Sequence, residues 1–587
     1  MSFVHLRAAS GYSFKYGTSH ISSLVERAAE FNMPALALTD REKMAGVIRF
    51  AKECEKFGIA PILGVNLSLV QKKYRVTLLA QSGKLPDLYK FLTALNIESN
   101  LGVITNKFIE KYERYSKNLF IMHGPESQLV DALSKRRESE AKGILNSYRE
   151  LFANQAIECV THLVAGDGPF STSLAGKSLA FARDQKIPAV ITNAVRLLDK
   201  RDGPIADILD STRNLTPLSA NTVERKNSEA YLKNSAVMSY LADEISRLAG
   251  ERSGRRLIAT TLEWADATKL SPRRDIGLGN IHLPEPSVVG AKDHLDTSRL
   301  LRSRCEGNIF SKYHGSKSIV AANRLEEELS VVTKLGFETY FLTVADIVDI
   351  AKKLGIRVAA RGSGAGSLIC YLLGISGVEP IDNGLIMERF CSPTRGELPD
   401  IDIDVESARR LEIYDEIFKR YGERCATVSM VETYRARHAI RDVGAAMGIS
   451  PVEIDLIAKS LPNIRSSNIT KALENLPELK NLKINSKVLK MAVEISSYLD
   501  RLPRHLSMHP CAIAISDIGL RERVPIEINR SGYPMMQFDK DDVEDIGLLK
   551  LDVLGVRMQS AISYAISEIE RVEGTKLDID TIPLNDK

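Results

Sequence analysis

Three carboxylates alternate along GELPDIDIDVE (396–406). Successive side chains of a β-strand take opposite faces, so Asp400, Asp402 and Asp404 share one face and Ile401, Ile403 and Val405 the other. Like charges on one face repel unless water or cations stand between them. A solvent-facing strand and a divalent-cation site both remain open at this point. The apolar face, once buried, would hold the carboxylates rigidly, and the Leu-Pro step before Asp400 restricts how the chain enters the strand. Clustered carboxylates on a rigid strand are what Mg²⁺ sites beside phosphates use.

A second strand pattern, LLKLDVLGV (548–556), sets Lys550 and Asp552 opposite Leu549, Leu551 and Val553. An aspartate on a buried strand needs a partner. Lys550 can be that partner, and so can cations held by Asp400 and Asp402; sequence spacing does not choose. The third element is RVAARGSGAGSLICYLLGIS (357–376), a strand running through a Gly-rich turn into an apolar helix. Gly362 and its neighbours let the backbone approach an anion, a helix N-terminus offers N–H groups, and Arg361 adds charge. A simple tight turn would use the same glycines. The turn lacks the GK[ST] ending of a P-loop and the GxGxxG dinucleotide fingerprint, so ATPase and Rossmann readings fall. Together the three elements fit phosphoryl transfer. Two divalent ions activate a 3′-hydroxyl and stabilise leaving pyrophosphate, while a loop holds a triphosphate.

The elements that must position these residues make a multi-domain α/β chain. At 587 residues it is long enough for several domains. With 44% hydrophobic and 26% charged residues it excludes collagen-like, mucin-like and wholly disordered classes. A net charge of +4 permits nucleic-acid binding without requiring it. Apolar runs at 34–40, 60–70, 75–80, 118–124, 156–164 and 188–193 alternate with helical patterns such as 20–32 and 44–58. That alternation fits a barrel or an open sheet. A Gly-, Pro- and Arg-rich stretch at 250–300 suggests a boundary near 255. A helical pattern follows at 318–334, residues 430–510 are helical in pattern, and strands return at 511–516 and 547–556.

No stretch approaches the roughly 18 apolar residues of a membrane helix, and the N-terminus lacks a secretory pattern, so a cytoplasmic protein with no membrane partner is expected. Seven scattered cysteines without a CxxC argue for reduced, mostly buried thiols. His505 and His509 read as structural or nucleic-acid contacts rather than zinc ligands, because no ligand-spaced partner completes a site.

RGSGAGS (361–367), ERF (388–390), PDIDID (399–404) and LLKLDVLG (548–555), in this order, resemble the bacterial C-family replicative polymerases, the DNA polymerase III alpha subunit (DnaE). RHLSMHP (504–510), VPIE (524–527) and QFDKDDVEDIGLLKLDVLG (537–555) look most like the error-prone DnaE (ImuC) type. The resemblance runs from FVHLRAASGYS at residue 3 to about residue 570. It implies a PHP-like distorted (βα)7 barrel over 1–255, then a nucleotidyltransferase-type palm over 256–428 and 511–560. A helical thumb at 429–510 is inserted between them, and the fingers begin at 561–587. Asp400, Asp402 and Asp552 would be the catalytic carboxylates holding two Mg²⁺ ions, with Asp404 just beyond them. Arg361, Gly362, Ser363, Arg389 and Lys550 would face the incoming triphosphate. Without the resemblance, Arg389 reads as a surface ion pair with Glu388 or Asp382. Arg435, Arg437 and Arg441 would either contact DNA phosphates or form a solvated helix face.

In active PHP domains, His, Asp, Glu and Cys ligands gather three metals. Here the corresponding positions read Arg7, Ala9, Tyr16, Arg41, Asn66, Arg75, Pro125, Ala194 and Arg196. Cations in place of metals can pair with the remaining carboxylates and repel divalent ions. The expectation is a PHP-like domain with no metal and no exonuclease or phosphoesterase activity, and with His5, His123 and His162 as core or surface residues. The implied activity is DNA-directed DNA synthesis in replication or error-prone repair. Its partners are primer-template DNA and dNTPs, along with other polymerase or repair subunits. The family continues into fingers, a helix-hairpin-helix region, a clamp-binding segment and an OB fold, whereas this chain ends at IPLNDK. Two expectations follow: a companion chain or fuller polymerase supplies the fingers, or the chain is an incomplete DnaE-like accessory that binds DNA or polymerase partners.

Overall fold

The computed structural model describes residues 2–69, 73–98, 106–220, 225–391, 398–475, 487–575, 577 and 579. Two compact units result. The first comprises Met1–Gly277, Met430–Ser507 and Pro525–Glu527, and the second Leu278–Ser429, Met508–Val524 and Ile528–Lys587.

The first unit is built on strands β1 (Ala35–Leu38), β2 (Ala60–Leu69), β3 (Tyr74–Ala80), β4 (Leu119–His123), β5 (Asn154–Cys159) and β6 (Ala189–Ile191). They lie side by side in chain order. The pairs β1–β2, β4–β5 and β5–β6 are parallel, and β2–β3 and β3–β4 antiparallel. Each strand coincides with one of the six apolar runs read from the sequence. The extended segment before β1 joins the two edges. Ala37 N–H donates to the His5 carbonyl (2.9 Å) and Thr39 N–H to Ala8 (2.8 Å), while Ala9 N–H donates to Val195 beyond β6 (2.8 Å). The segment thus bonds to β1 on one side and to the chain just beyond β6 on the other. Helices such as Val47–Phe57, Thr172–Asp184 and Ser235–Leu248 present apolar faces to the strands, and Ser171 and Asn234 cap the latter two.

The boundary expected near 255 falls at the start of helix Arg255–Thr268, and the unit runs on to Gly277. Trp264 and Ala265 of that helix belong to the core made by Val4, Ile62, Phe120 and Met122. Polar and glycine-rich letters therefore marked a helix start there, not a domain end. Residues 430–507 also pack within this unit. Helices Ala436–Ala446 and Lys487–Tyr498 bury Ile440, Val443, Leu489 and Val493 against Ile205, Ile208 and Leu209 of helix Gly203–Asn214.

The second unit is organised by a mixed sheet. Its strands are β7 (Val358–Arg361), β8 (Ile401–Glu406), β9 (Cys425–Thr433), β10 (Pro503–Ile515), β11 (Ile526–Ile528), β12 (Pro534–Asp539) and β13 (Leu549–Val556). The order is β11-β12-β9-β10-β13-β8-β7, and the chain passes between the units within β9 and β10. The sequence pattern read 430–510 as helical and missed both strand ends reaching into it. Strands β8 and β13 run parallel, each antiparallel to its outer neighbour, β7 and β10 respectively. Ile401, Ile403, Val405, Leu549, Leu551, Val553, Ile513 and Ile515 form the covered face, packed with Phe341, Val344 and Val348 of helix Glu338–Lys353. The other face of β8 and β13 carries the charged residues. No helix among the described residues is long and apolar enough to cross a membrane.

Candidate active site

Register assembles the site. Asp402 pairs with Asp552 across β8 and β13, and Arg361 pairs with Asp402 across β7 and β8. Ala512 lies beside Asp552 on β10. One row across four strands thus reads Arg361, Asp402, Asp552, Ala512. Burial alternates along β8, with Ile401 and Ile403 covered and Asp402 and Asp404 half-buried. Asp400 stands just before the strand, fixed from behind by the Tyr340 hydroxyl donating to the Pro399 carbonyl (2.6 Å).

Asp400, Asp402 and Asp552 each bring a carboxylate oxygen within 4.8 Å of the others. Their side chains are 57%, 31% and 15% exposed respectively, so the cluster opens to solvent at Asp400. Burial raises the Asp402 carboxyl above its ordinary range, and Asp400 and Asp552 push it further against Arg361 and Lys550. Ionised carboxylates held this close gain from divalent cations.

Lys550 reaches into the same group. Its ammonium lies 3.4 Å from Asp400, 3.4 Å from Glu544 and 3.5 Å from Asp552. Burial alone would lower its pKa, but the three carboxylates outweigh this and raise it. Lys550, one of the two partners considered for Asp552, is therefore in contact with it. Arg361 lies 3.3 Å from Asp404 and 3.9 Å from Asp402, with half its side chain exposed. Asp404 thus holds the arginine and stands outside the three-carboxylate cluster.

The Gly-rich turn departs from expectation in one respect. The helix after it, Leu368–Leu372, does not offer free N–H groups to an anion. Glu328 accepts from Leu368 N–H (2.9 Å), Ile369 N–H (3.1 Å) and the Ser367 hydroxyl (2.9 Å). An internal carboxylate already occupies that end, which nothing local to the turn could have signalled. Gly362 adopts φ +83°, a left-handed conformation suited to glycine. Gly366 sits where a Cβ would come 2.6 Å from the Ile386 carbonyl oxygen. The side chains of Ser363 and Arg389 lie outside the described residues.

Sequence reasoning missed two neighbours of Asp552. His509 Nδ1 lies 3.9 Å and Cys511 Sγ 3.7 Å from Asp552 Oδ1. Burial lowers the His509 imidazole below its ordinary value and pushes the Cys511 thiol up to about 12. Only the β10–β13 register brings them there; the HPC spacing carries no such signal. His505 belongs to the first unit. There, Arg435, Arg437 and Arg441 bond to Asn463 (3.1 Å), the Leu461 carbonyl (2.7 Å) and Asp455 (2.9 Å).

The four arginines among the positions where the resemblance expects metal ligands form ion pairs. Arg7 bonds Glu126 and Glu158 (3.1 Å), and Arg41 bonds Glu126 (2.9 Å). Arg75 pairs with Glu42 (2.8 Å) and with the Asn66 side chain (2.6 Å), and Arg196 pairs with Asp210 (2.6 Å). The Tyr16 ring receives Arg41 at 3.4 Å and Arg196 at 4.1 Å. Burial opposes charge on Glu126, yet Arg7, Arg41 and Arg75 hold its carboxyl down at about 2. His5, His123 and His162 are buried, each lowered to about 4 by burial, and bond the Lys233 carbonyl, Gln155 and the Asn193 carbonyl.

Two regions of the chain match known families. Residues 5–162 match the PHP domain, and residues 299–555 match the bacterial DNA polymerase III alpha NTPase domain. The "Error-prone DNA polymerase" of Symbiobacterium thermophilum is 30% identical over all of this chain and 54% of its own length. The "DNA polymerase III subunit alpha" of Bacillus subtilis is 29% identical over all of this chain and 51% of its own. The "Error-prone DNA polymerase" of Pseudomonas aeruginosa is 29% identical, with 54% of its length covered. The chain spans about half the length of the curated relatives it matches. A match to the PHP domain is thus followed by a match to the alpha-subunit NTPase domain, and along its whole length the chain is similar to the bacterial DNA polymerase III alpha subunit and its error-prone relatives.

Proposed function

We propose that this chain carries the palm, thumb and PHP portion of a DNA-directed DNA polymerase that extends a primer 3′-hydroxyl with dNTPs on template DNA. The observation that carries the reading is the convergence of Asp400, Asp402 and Asp552 from two paired strands, with Lys550 among them. In this reading the second unit's sheet is the palm, and the helices between residues 436 and 498 are the thumb. Two Mg²⁺ ions held by the three aspartates would supply activation of the 3′-hydroxyl and neutralisation of the leaving pyrophosphate. The residues fit such ions. The donors are all oxygens, and burial together with Asp400 and Asp552 raises the Asp402 carboxyl above its ordinary value, a cost that cations would relieve.

The chain's own groups divide the remaining work. Lys550, mostly buried, keeps a permanent positive charge beside Asp400 and Asp552, where pyrophosphate charge develops. Arg361 and the Gly362 backbone, at the end of β7, face the triphosphate, while Asp404 orients the guanidinium. The hydrophobic face under β8 and β13 keeps the carboxylates from spreading apart. In the PHP domain, ion pairs take the place of metals, and we assign it a structural role without bound metal.

Primer extension tests the reading. With dNTPs, Mg²⁺ and primed template, the chain, alone or with a companion supplying the fingers, extends the primer, and Asp402→Ala abolishes extension. No extension in any mixture removes the polymerase reading. Extension surviving Asp402→Ala removes the site assignment.

A further inference from the structure

Asp552 has a second set of neighbours that the polymerase chemistry does not use. Cys511 Sγ lies 3.7 Å from Asp552 Oδ1 and 3.7 Å from His509 Nδ1, and that nitrogen lies 3.9 Å from the same oxygen. A tetrahedral zinc with Zn–S of about 2.3 Å and Zn–N and Zn–O of about 2.0–2.1 Å sets S···N and S···O about 3.5 Å apart and N···O about 3.3 Å. The three donors thus already stand within roughly half an ångström of a coordination triangle. The histidine is oriented for it. Ala512 N–H donates to Nδ1 at 3.0 Å, which makes Nδ1 the lone-pair nitrogen and leaves the proton on Nε2. A metal would take over that lone pair in exchange for two backbone hydrogen bonds, from Ala512 N–H and from Cys511 N–H (3.5 Å).

The donor types select the cation. Magnesium avoids sulfur, whereas thiolate and imidazole suit zinc-class ions. The elements are rigid, with Cys511 and Asp552 on paired, buried strands. A further polar group lies close by. The Tyr414 hydroxyl is buried without a hydrogen-bond partner among the described residues and lies within electrostatic range of both Cys511 and Asp552. It is available to a water filling the fourth position.

We propose that His509, Cys511 and Asp552 form a binding site for a thiophilic divalent cation of the zinc class, which competes with the magnesium pair for Asp552. As the sulfur–metal bond forms, the Cys511 proton leaves to solvent, and no oxidant or reductant is needed. The binding claim stands on this geometry alone, and the competition claim rests on the polymerase reading above.

Co²⁺ is the probe, added to the full chain without DNA or nucleotide. A thiolate-to-cobalt charge-transfer band at one equivalent is expected. Excess Zn²⁺ displaces it and millimolar Mg²⁺ does not. Cys511→Ser removes the band, and His509→Gln weakens Co²⁺ binding by about tenfold or more. Far-UV circular dichroism checks both variants, and His509→Gln decides the matter if Cys511→Ser does not fold. No band in the wild-type chain, or a band unchanged in these variants, overturns the site. In primer extension, Zn²⁺ should inhibit the wild-type chain at concentrations that spare Cys511→Ser. A cobalt band in a chain that never extends primers would leave the site standing and remove only the polymerase reading.

Discussion

Replacing Glu126 with glutamine tests whether ion pairs hold the PHP domain together in place of metals. Glu126 accepts from Arg7 and Arg41 and feels Arg75, while 22% of its side chain stays exposed. Holding the carboxyl at about 2 rather than 4.5 corresponds to about 3 kcal/mol at neutral pH, at about 1.4 kcal/mol per pH unit. Glu126→Gln keeps the shape but leaves three guanidinium groups facing one neutral amide. The loss should therefore reach about 3 kcal/mol and approach the roughly 3–5 kcal/mol of a broken buried pair. The sign with pH follows from the lowered folded-state value. The stabilisation is complete above 4.5 and disappears as pH falls through about 2. The gap between wild type and variant should shrink to about 2 kcal/mol at pH 3.5. Trp264 is the sole tryptophan of the chain and packs edge-on against Phe120 at 4.9 Å in the core of this unit. Its emission during urea unfolding reports this unit. A gap below about 1 kcal/mol at neutral pH, or one that does not narrow on acidification, would refute the ion-pair account. Zn²⁺ or Mn²⁺ should not rescue the variant, and tightly bound metal in the wild-type first unit would contradict the structural role assigned here.

Lys550→Met should lower the rate of nucleotide addition by roughly 100-fold or more, as loss of a preorganised positive group does. A change of only about threefold in single-turnover extension would make Lys550 a packing partner of Asp552 and nothing more. Gly547→Ala should destabilise the second unit by about 2 kcal/mol or more. Gly547 sits at φ +60°, an added Cβ would come 1.9 Å from the Asn280 carbonyl oxygen, and the residue leads directly into β13. Calorimetry reads the shift, and an unchanged transition would show that the backbone there relaxes freely.

Much of the site was legible because strand alternation is a local property. The letters PDIDID and LLKLDV state which side chains share a face, and the burial along β8 and β13 follows that period of two. The six apolar runs of the first unit likewise announced its strands. What the letters could not state is which strand lies beside which. Asp552 meets Asp402 because Leu551 and Val553 bury in register with Ile401 and Ile403, a match settled by packing across a separation of 150 positions (552 − 402 = 150). The same long-range register brings His509 and Cys511 to Asp552. Arginines at expected ligand positions were visible in the sequence, but their pairing through Glu126 needed residues 7, 41 and 126 brought together by the folded sheet. The Gly-rich turn shows the limit most plainly. Its glycines and following helix suggested free N–H groups, and only tertiary packing revealed that Glu328, from a helix some 40 residues earlier, already accepts them. Sequence determines periodicity and local conformational freedom. Tertiary structure decides which polar groups meet, because that choice belongs to the burial of distant apolar faces.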